Sequence, residues 1–211
     1  MIVTRFKDKD KVLETLRGFK KIAILGCNIC SAECGTSGKE VLEDYSNFLR
    51  EKGFDVVANI LIEGMCNTLL VKKDIKKLKD IDYDIILVFS CGAGTQVTCL
   101  YTKKPVFTSL DTVYLAQRQR VGQFEESCIM CGDCVLNKTM GICPRTQCSK
   151  GIANGPCGGS LNGKCEVDEN KDCAWIKIYE KLEKNESIRN IEKSYKPLKN
   201  INELKPRKDK V

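Results

Sequence analysis

Histidine is absent from this 211-residue chain, although the chain contains 14 cysteines. Without histidine there can be no mixed cysteine–histidine zinc site, no Rieske-type cluster and no cysteine–histidine catalytic pair. Thiolates are soft ligands that suit iron–sulfur clusters and zinc. We therefore expect that any metal in this protein is held mainly by sulfur.

Long hydrophobic runs are also missing from the sequence. No stretch of about 18 apolar residues occurs, so no membrane-spanning helix is expected. Residues 1–20 lack the apolar segment of a secretory signal, because Lys7-Asp8-Lys9-Asp10-Lys11 interrupts them. Disulfides persist mainly in secreted proteins. These features predict a cytoplasmic protein whose cysteines are reduced and bind metal.

The positive charge of the chain is concentrated at one end. Of the net charge of +7, residues 193–211 contribute +5, from seven basic and two acidic residues. Each four-thiolate cluster would add about −2, so a protein with three clusters would be nearly neutral. We predict that the basic tail, residues 186–211, is a solvated extension, with docking onto an acidic partner as the alternative. Nucleic-acid binding is not expected, because basic and aromatic residues do not interleave around the cysteines.

The first half of the chain alternates apolar runs with amphipathic stretches. Strands are predicted at residues 21–25, 54–62, 85–89 and 106–108, and helices at residues 38–52, 71–79 and 95–101. The run at residues 85–89 is apolar throughout, as in a central parallel strand. This alternation predicts a small doubly wound parallel α/β sheet within residues 1–120.

Residues 121–185 have a different composition. They contain eight cysteines and many Gly, Asn and Pro residues, with little hydrophobic periodicity. Such a segment cannot form an apolar core of its own. We predict a cysteine-rich module that metal sites organise, with little regular structure, closed by an apolar helix at residues 174–182. Trp175 in that helix is expected to anchor its packing.

A first group of candidate ligands lies within this module. The run Cys128-x2-Cys131-x2-Cys134 is typical of bacterial ferredoxins, in which a later Cys-Pro provides a further ligand. Cys143-Pro144 follows here, and its cysteine could serve either the same cluster or a second one. With the remaining four cysteines, eight thiolates could form two four-thiolate sites, either two clusters or one cluster and one zinc. The remaining four are Cys148, Cys157, Cys165 and Cys173.

A second group follows the predicted strands. Cys27, Cys30 and Cys34 come after the first strand, Cys66 after the second and Cys91 after the third. Ligands of an open α/β sheet gather outside the carboxyl ends of its strands. A cluster bound by four of these thiolates is the favoured interpretation, ahead of buried structural cysteines or a reactive dithiol. Cys99, inside a predicted helix, is expected to be a core residue.

Several segments together resemble a known family. The sequence resembles, over about residues 20–183, the cysteine-rich small subunit of methylenetetrahydrofolate reductase from acetogenic bacteria, a region that also occurs as a carboxy-terminal domain of related reductases. The segments that carry the resemblance are Gly26-Cys-x2-Cys30-x3-Cys34, Cys91-Gly-Ala-Gly-x-Gln96, Cys128-x2-Cys-x2-Cys134, Gly141-Ile-Cys-Pro144, Asn154-Gly-Pro-Cys-Gly-Gly159, Gly163-Lys-Cys-Glu166 and Asp172-Cys-Ala-Trp175.

The resemblance implies an iron–sulfur subunit that accompanies a catalytic TIM barrel. That partner would carry flavin mononucleotide (FMN) and reduce methylenetetrahydrofolate. This chain has no flavin-binding signature of its own. It would hold two or three [4Fe-4S] clusters, with a four-thiolate zinc possible in place of one, and a further electron-donor protein is a possible second partner. The implied ligands are Cys30, Cys34, Cys66, Cys91, Cys128, Cys131, Cys134, Cys143, Cys148, Cys157, Cys165 and Cys173, with Cys27 as an alternate at the sheet edge.

Three functions are compatible with these features of the sequence. The leading hypothesis is an electron-transfer subunit without a catalytic residue of its own, which relays electrons to or from the flavin of the reductase. The alternative in the same complex is a scaffold that binds structural zinc. The third hypothesis is a thiol–disulfide enzyme that uses Cys27 and Cys30. Two features argue against it, the nearby Cys34 and the absence of a thioredoxin-like proline context.

Overall fold

The computed structural model describes residues 1–185, so the predicted basic tail lies outside the described residues. The strands are β1 (Ile2–Phe6), β2 (Lys21–Cys27), β3 (Asp55–Ile62), β4 (Ile85–Phe89), β5 (Val106–Thr108), β6 (Leu110–Arg120), β7 (Gln123–Cys128), β8 (Lys164–Cys165) and β9 (Asp168–Asp172). The helices are α1 (Lys9–Thr15), α2 (Cys30–Glu33), α3 (Lys39–Glu51), α4 (Thr68–Asp74), α5 (Gly92–Cys99), α6 (Pro144–Gln147) and α7 (Ala174–Lys184), with a 3-10 helix at Ile75–Leu78.

The described residues divide into two compact units, of which the first is Met1–Glu125 and the second begins at Glu126. Within residues 1–185, none of the helices combines the length and the apolar character that a bilayer span requires.

A four-stranded parallel sheet forms the centre of the first unit, in the order β3-β2-β4-β5. Apolar side chains of β2 and β4 alternate between two clusters, one on each face. One cluster includes residues of α1 and α3, and the other includes residues of α4 and the 3-10 helix. Helices therefore cover both faces, and the predicted α/β class with its parallel sheet is confirmed.

The helix predicted at residues 71–79 begins earlier than the sequence pattern suggested. The Asn67 side chain accepts hydrogen bonds from the backbone N–H groups of Leu69 (2.9 Å) and Leu70 (3.4 Å). This cap starts α4 at Thr68, because the first N–H groups of a helix have no partner inside it. The predicted lysine-rich stretch then continues as the 3-10 helix.

A second sheet in the order β1-β6-β7 was not anticipated from the sequence. Strand β1 pairs antiparallel with β6, and the shared register runs from Ile2 opposite Leu115 to Phe6 opposite Leu110. Most side chains of β6 are exposed, so the strand lacks the apolar alternation by which a half-buried strand is recognised.

The second unit contains short elements and a small apolar cluster. Strands β8 and β9 form an antiparallel pair. Trp175, Ile178 and Leu182 of α7 are buried together, against Met140 and Ile142 among others. The indole N–H of Trp175 donates to the Ile152 carbonyl at 2.8 Å. Trp175 is thus the packing anchor that the sequence predicted.

Candidate metal centres

The carboxyl ends of the parallel strands bring several predicted ligands to one edge of the sheet. Cys27 is the last residue of β2, and Cys91 follows β4 and precedes the first residue of α5. The two strands are neighbours, with Gly26 opposite Phe89. In the strand order β3-β2-β4-β5 the direction of the chain connections reverses between β2 and β4, which is where open α/β sheets bind ligands.

Cys66 lies among other thiols at this edge. Partial burial raises the pKa of the Cys66 thiol, and the charges of three neighbouring cysteines raise it further, in the order Cys91, Cys27 and Cys30. The repulsion between like charges weakens with distance, so thiols that affect the pKa of Cys66 lie near it. The structure therefore groups Cys27, Cys30, Cys66 and Cys91, which we call the sheet-edge set.

Cys34 has different surroundings from the sheet-edge set. It follows the last residue of α2, and its thiol donates to the carbonyl oxygen of Ile2 in β1, at a sulfur–oxygen distance of 3.7 Å. Cys99, predicted to be a core residue, is exposed instead. It is the last residue of an eight-residue helix whose buried positions are Gly94 and Thr98, so that prediction was wrong.

Buried hydroxyl groups accompany the sheet-edge set. Ser31 and Ser90, each next to a cysteine of the set, are buried, as is Ser37. None of the three hydroxyl groups has a hydrogen-bond partner among the described residues. Gly94 packs so closely on Ser90 that a Cβ atom at Gly94 would overlap the Ser90 hydroxyl. Unpaired buried hydroxyls are costly, and thiolate or sulfide acceptors at this edge would satisfy them.

In the second unit, the ferredoxin-like run surrounds a cavity. The cavity has a volume of about 320 Å³. Its lining includes four thiols, which we call the first set: Cys128, Cys131, Cys134 and Cys143. Such a volume accommodates the iron and sulfide atoms of a cluster. The cavity thus brings Cys143 together with the ferredoxin-like run, an arrangement that the sequence had left open.

The backbone of the ferredoxin-like run has the turns that three closely spaced ligands require. Met130 and Gly132 both have positive φ angles, 53° and 76°. Glycine adopts such an angle easily, whereas a residue with a side chain, such as Met130, does so only where the surroundings impose it. The backbone N–H of Met130 donates to the Cys128 sulfur at 3.3 Å. This hydrogen bond directs a backbone donor at the sulfur of a candidate ligand.

Arg145 also lines the cavity of the first set. Its side chain is only 4% exposed, and Asp133 lies 3.6 Å away, beyond hydrogen-bonding distance. None of its three guanidinium nitrogens has a hydrogen-bond partner among the described residues. Arginine side chains are cationic in proteins, so the cavity contains a cation that Asp133 compensates only in part, next to four potential thiolates. An anionic metal–thiolate group is chemically well matched to it.

The other four cysteines of the module line a much smaller cavity, of about 10 Å³. They form the second set: Cys148, Cys157, Cys165 and Cys173. As observed, this cavity has room for one water-sized group, which suits a single ion better than a cluster. The second set is therefore the place where the zinc alternative fits the geometry.

Hydrogen bonds and one ion pair organise the second set. The Cys157 thiol donates to the Glu166 carboxylate at 3.1 Å, and Lys150 forms an ion pair with the same carboxylate. Hydrogen bonds from the Val167 backbone N–H and the Ser149 hydroxyl lower the pKa of Cys165. A Cβ atom at Gly159 would overlap the Glu166 carboxylate, so a larger residue there would have to displace the end of the Glu166 side chain.

A single helical turn connects the two sets. Cys143 immediately precedes α6 and Cys148 immediately follows it. The Gln147 N–H donates to the Cys143 carbonyl (2.9 Å) and the Cys148 N–H to the Pro144 carbonyl (3.1 Å). At a rise of about 1.5 Å per residue, the two cysteines are about 8 Å apart along the helix axis. One ligand of each set thus flanks the same short helix.

Within residues 1–185, no three or more cysteine, aspartate or glutamate side chains form a preassembled site for a metal ion. The cysteines are free thiols. Sequence reasoning missed Arg145 and the Glu166–Lys150 pair, because a single charged residue between cysteines gives no periodic signal. The only available hint was their position inside the cysteine-rich segments.

Comparison with known proteins addresses the second half of the chain. No curated protein and no solved structure shows a significant match. The sequence profile of one family, described as "Methylene-tetrahydrofolate reductase C terminal", matches residues 107–202. Residues 1–106 lie outside that match. The family resemblance predicted from the sequence is therefore confirmed for residues 107–202, which form a methylene-tetrahydrofolate reductase C-terminal-like region of the chain.

Proposed function

We propose that this protein is the iron–sulfur electron-transfer subunit of a methylenetetrahydrofolate reductase complex. The observation that carries the proposal is the cavity of about 320 Å³ lined by four cysteines and by a buried arginine whose guanidinium has no hydrogen-bond partner among the described residues. A four-iron cluster with four thiolate ligands has the size and the negative charge that suit such a site. The family match of residues 107–202 connects this chemistry to a reductase.

The proposed division of labour places the hydride chemistry in a partner. A bound cluster supplies one-electron transfer, and a flavin in a catalytic TIM-barrel subunit can combine two single electrons into a hydride equivalent. The residues of this chain bind and position the metal groups. The thiolates of the first set hold the cluster, and α6 keeps the second set close to it. A low-potential one-electron carrier is the class of donor that this relay requires.

Two further metal sites belong to the proposal. The second set would hold either another cluster or a four-thiolate zinc, and its small cavity supports the zinc assignment. The sheet-edge set would hold a third metal group through Cys27, Cys30, Cys66 and Cys91 rather than through Cys34. The proximity of three thiols to Cys66 supports this assignment.

A scaffold role is the second candidate, and the small cavity of the second set favours it. In this case zinc would stabilise the module, and the chain would support the flavoprotein without carrying electrons. Metal content separates the two functions, because zinc has no redox chemistry.

The test is to measure iron, acid-labile sulfide and zinc per chain in protein purified without oxygen. We expect about four irons and four sulfides for each cluster, and about eight to twelve irons in total if two or three sites hold clusters. Zinc without sulfide would contradict the electron-transfer proposal and support the scaffold.

Two variants assign the iron to the first set. Cys131→Ser should lose about four irons per chain, while the parallel sheet of the first unit stays folded because it has its own apolar core. Cys99→Ser is the matched control, since Cys99 is exposed and belongs to none of the three sets. Equal iron content in the two variants would exclude a cluster on the first set.

A further inference from the structure

Arg145 is the most unusual charged residue in the described part of the chain. It is the second residue of α6, and its side chain is almost fully buried, while the carboxylate of Asp133, with which it pairs at 3.6 Å, is half exposed. The other ion pairs of the described residues all use a basic side chain that is at least one-third exposed. Arg145 is therefore buried for a reason other than a surface ion pair.

Burial of such a cation requires compensation. Removing an ion from water is costly even after the protein relaxes, and the cost is offset only by nearby negative charge and by acceptors for its N–H groups. Asp133 supplies part of the charge from 3.6 Å, but its carboxylate accepts no hydrogen bond from the guanidinium. The remaining groups that could supply charge at this cavity are the thiolates of the first set.

We propose that Arg145 donates hydrogen bonds to the sulfur atoms of the metal group held by the first set and raises its reduction potential. This inference rests on the proposed function. A cluster with four thiolate ligands becomes more negative when it accepts an electron, so a fixed positive charge beside it stabilises the reduced form. Hydrogen bonds to sulfur act in the same direction, and both are recognised means by which a protein tunes a cluster.

Arg145 would thus be a positioning residue that acts on the potential rather than a ligand. Its place in α6, between Cys143 and Cys148, keeps the guanidinium on the element that connects the two sets. Among the described residues that line the cavity of the second set, the basic one is Lys150, which is exposed and whose charge Glu166 balances. The charge difference makes the first set the site where a transferred electron is more stable.

The experiment is a redox titration of the oxygen-free full-length protein, followed by electron paramagnetic resonance, for wild type, Arg145→Met and Arg145→Lys. Arg118→Met is the matched control, because it removes the same charge from an exposed arginine that pairs with Glu33. At a fixed potential we expect Arg145→Met to lower the reduced-to-oxidised ratio of one cluster at least tenfold, a shift of about 59 mV for one electron. Arg145→Lys should shift less, and Arg118→Met not at all.

The outcomes are distinguishable from those that test the function itself. Wild-type protein without iron and sulfide overturns both proposals. Iron-loaded Arg145→Met with unchanged potentials overturns this one alone. If Arg145→Met loses one cluster, retention of that cluster in Arg145→Lys with a potential close to wild type supports the charge role, whereas its loss in both variants overturns it.

Discussion

Cys27 and Cys34 are only seven positions apart in the sequence, but their sulfur atoms have different surroundings. Cys27 ends β2 at the topological switch of the sheet and is one of the thiols whose charge acts on Cys66. Cys34 donates instead to the carbonyl of Ile2. The two residues therefore make opposite predictions for the sheet-edge site.

Replacement of Cys27 by serine should abolish metal binding at the sheet-edge set, because serine is a poor substitute for a soft thiolate ligand. Cys34→Ser should retain the metal, since it loses only a weak hydrogen bond. Metal analysis of the two oxygen-free variants measures the difference. A lower metal content in Cys34→Ser than in Cys27→Ser would restore the ligand set inferred from the family resemblance.

Asp84 contributes pH-dependent stability at the opposite end of the sheet. Hydrogen bonds from the backbone N–H groups of Lys21 and Lys20, both 2.8 Å, hold the pKa of its carboxyl below the usual value. The folded pKa is lower than the unfolded value of about 3.9, so the stabilisation is fully present above about pH 4 and is lost as the pH falls through the folded pKa.

Asp84→Asn should therefore lower the urea midpoint of the first unit at pH 7, and the difference from wild type should shrink below about pH 4. Far-ultraviolet circular dichroism in urea at pH 7 and pH 3 measures this. Asp80→Asn, a change of the same charge at an exposed position, is the control. A difference from wild type that is constant over this range would refute the ionic origin of the effect.

At this scale the sequence reveals chemistry better than geometry. Residue types identified sulfur as the ligand, and the positions after each strand located the sheet-edge cysteines. The choice between Cys27 and Cys34 depends on how α2 turns away from β2, which spacing does not specify. The role of Arg145 could not be predicted from the sequence, because it depends on the burial of the side chain and on its lack of hydrogen-bond partners among the described residues.

Strand β4 is the element on which the first unit depends most. Its five residues are completely buried, and it lies between β2 and β5. Leu87→Ala should reduce the free energy of unfolding of this unit by about 2–5 kcal/mol, because it removes buried methyl groups and leaves a cavity. Denaturant unfolding followed by circular dichroism measures the loss.

The control for this change is Leu100→Ala, since Leu100 is 71% exposed. The same substitution should change stability there by no more than about 0.5 kcal/mol. Similar losses in the two variants would mean that β4 is not the centre of the core.

Elements with a strong apolar pattern were predictable, and the others were not. The parallel strands and α3 follow from apolar runs that match a buried strand or one helical face. Strands β1 and β6 pair across more than 100 residues of sequence, and their mostly exposed side chains leave no alternation to detect. Backbone hydrogen bonds specify long-range pairing of this kind, and these bonds leave no pattern of apolar and polar residues in the sequence.

The charge of the whole molecule should report how many thiolate sites are filled. The metal-free chain has a formal net charge of +7, a count that includes no thiolate, and an isoelectric point of about 8.7. Each four-thiolate site, with a cluster or with zinc, lowers the charge by about 2. Three filled sites would leave about +1.

Isoelectric focusing without oxygen should therefore place the loaded protein at a clearly lower pH than the metal-free protein. Cys131→Ser should focus between the two. Loaded and metal-free proteins that focus at the same pH would show that the bound metal is not held by ionised thiols.

The single turn of α6 has a consequence for how the holoprotein is assembled. An isolated four-residue helix is not stable in water, and the two residues that flank it belong to different metal sites. In the proposed assembly, metal bound at either site fixes one end of this turn and so orients the first thiol of the other. Metal uptake by the module then becomes cooperative: metal bound at one set raises the affinity of the other set for its own metal.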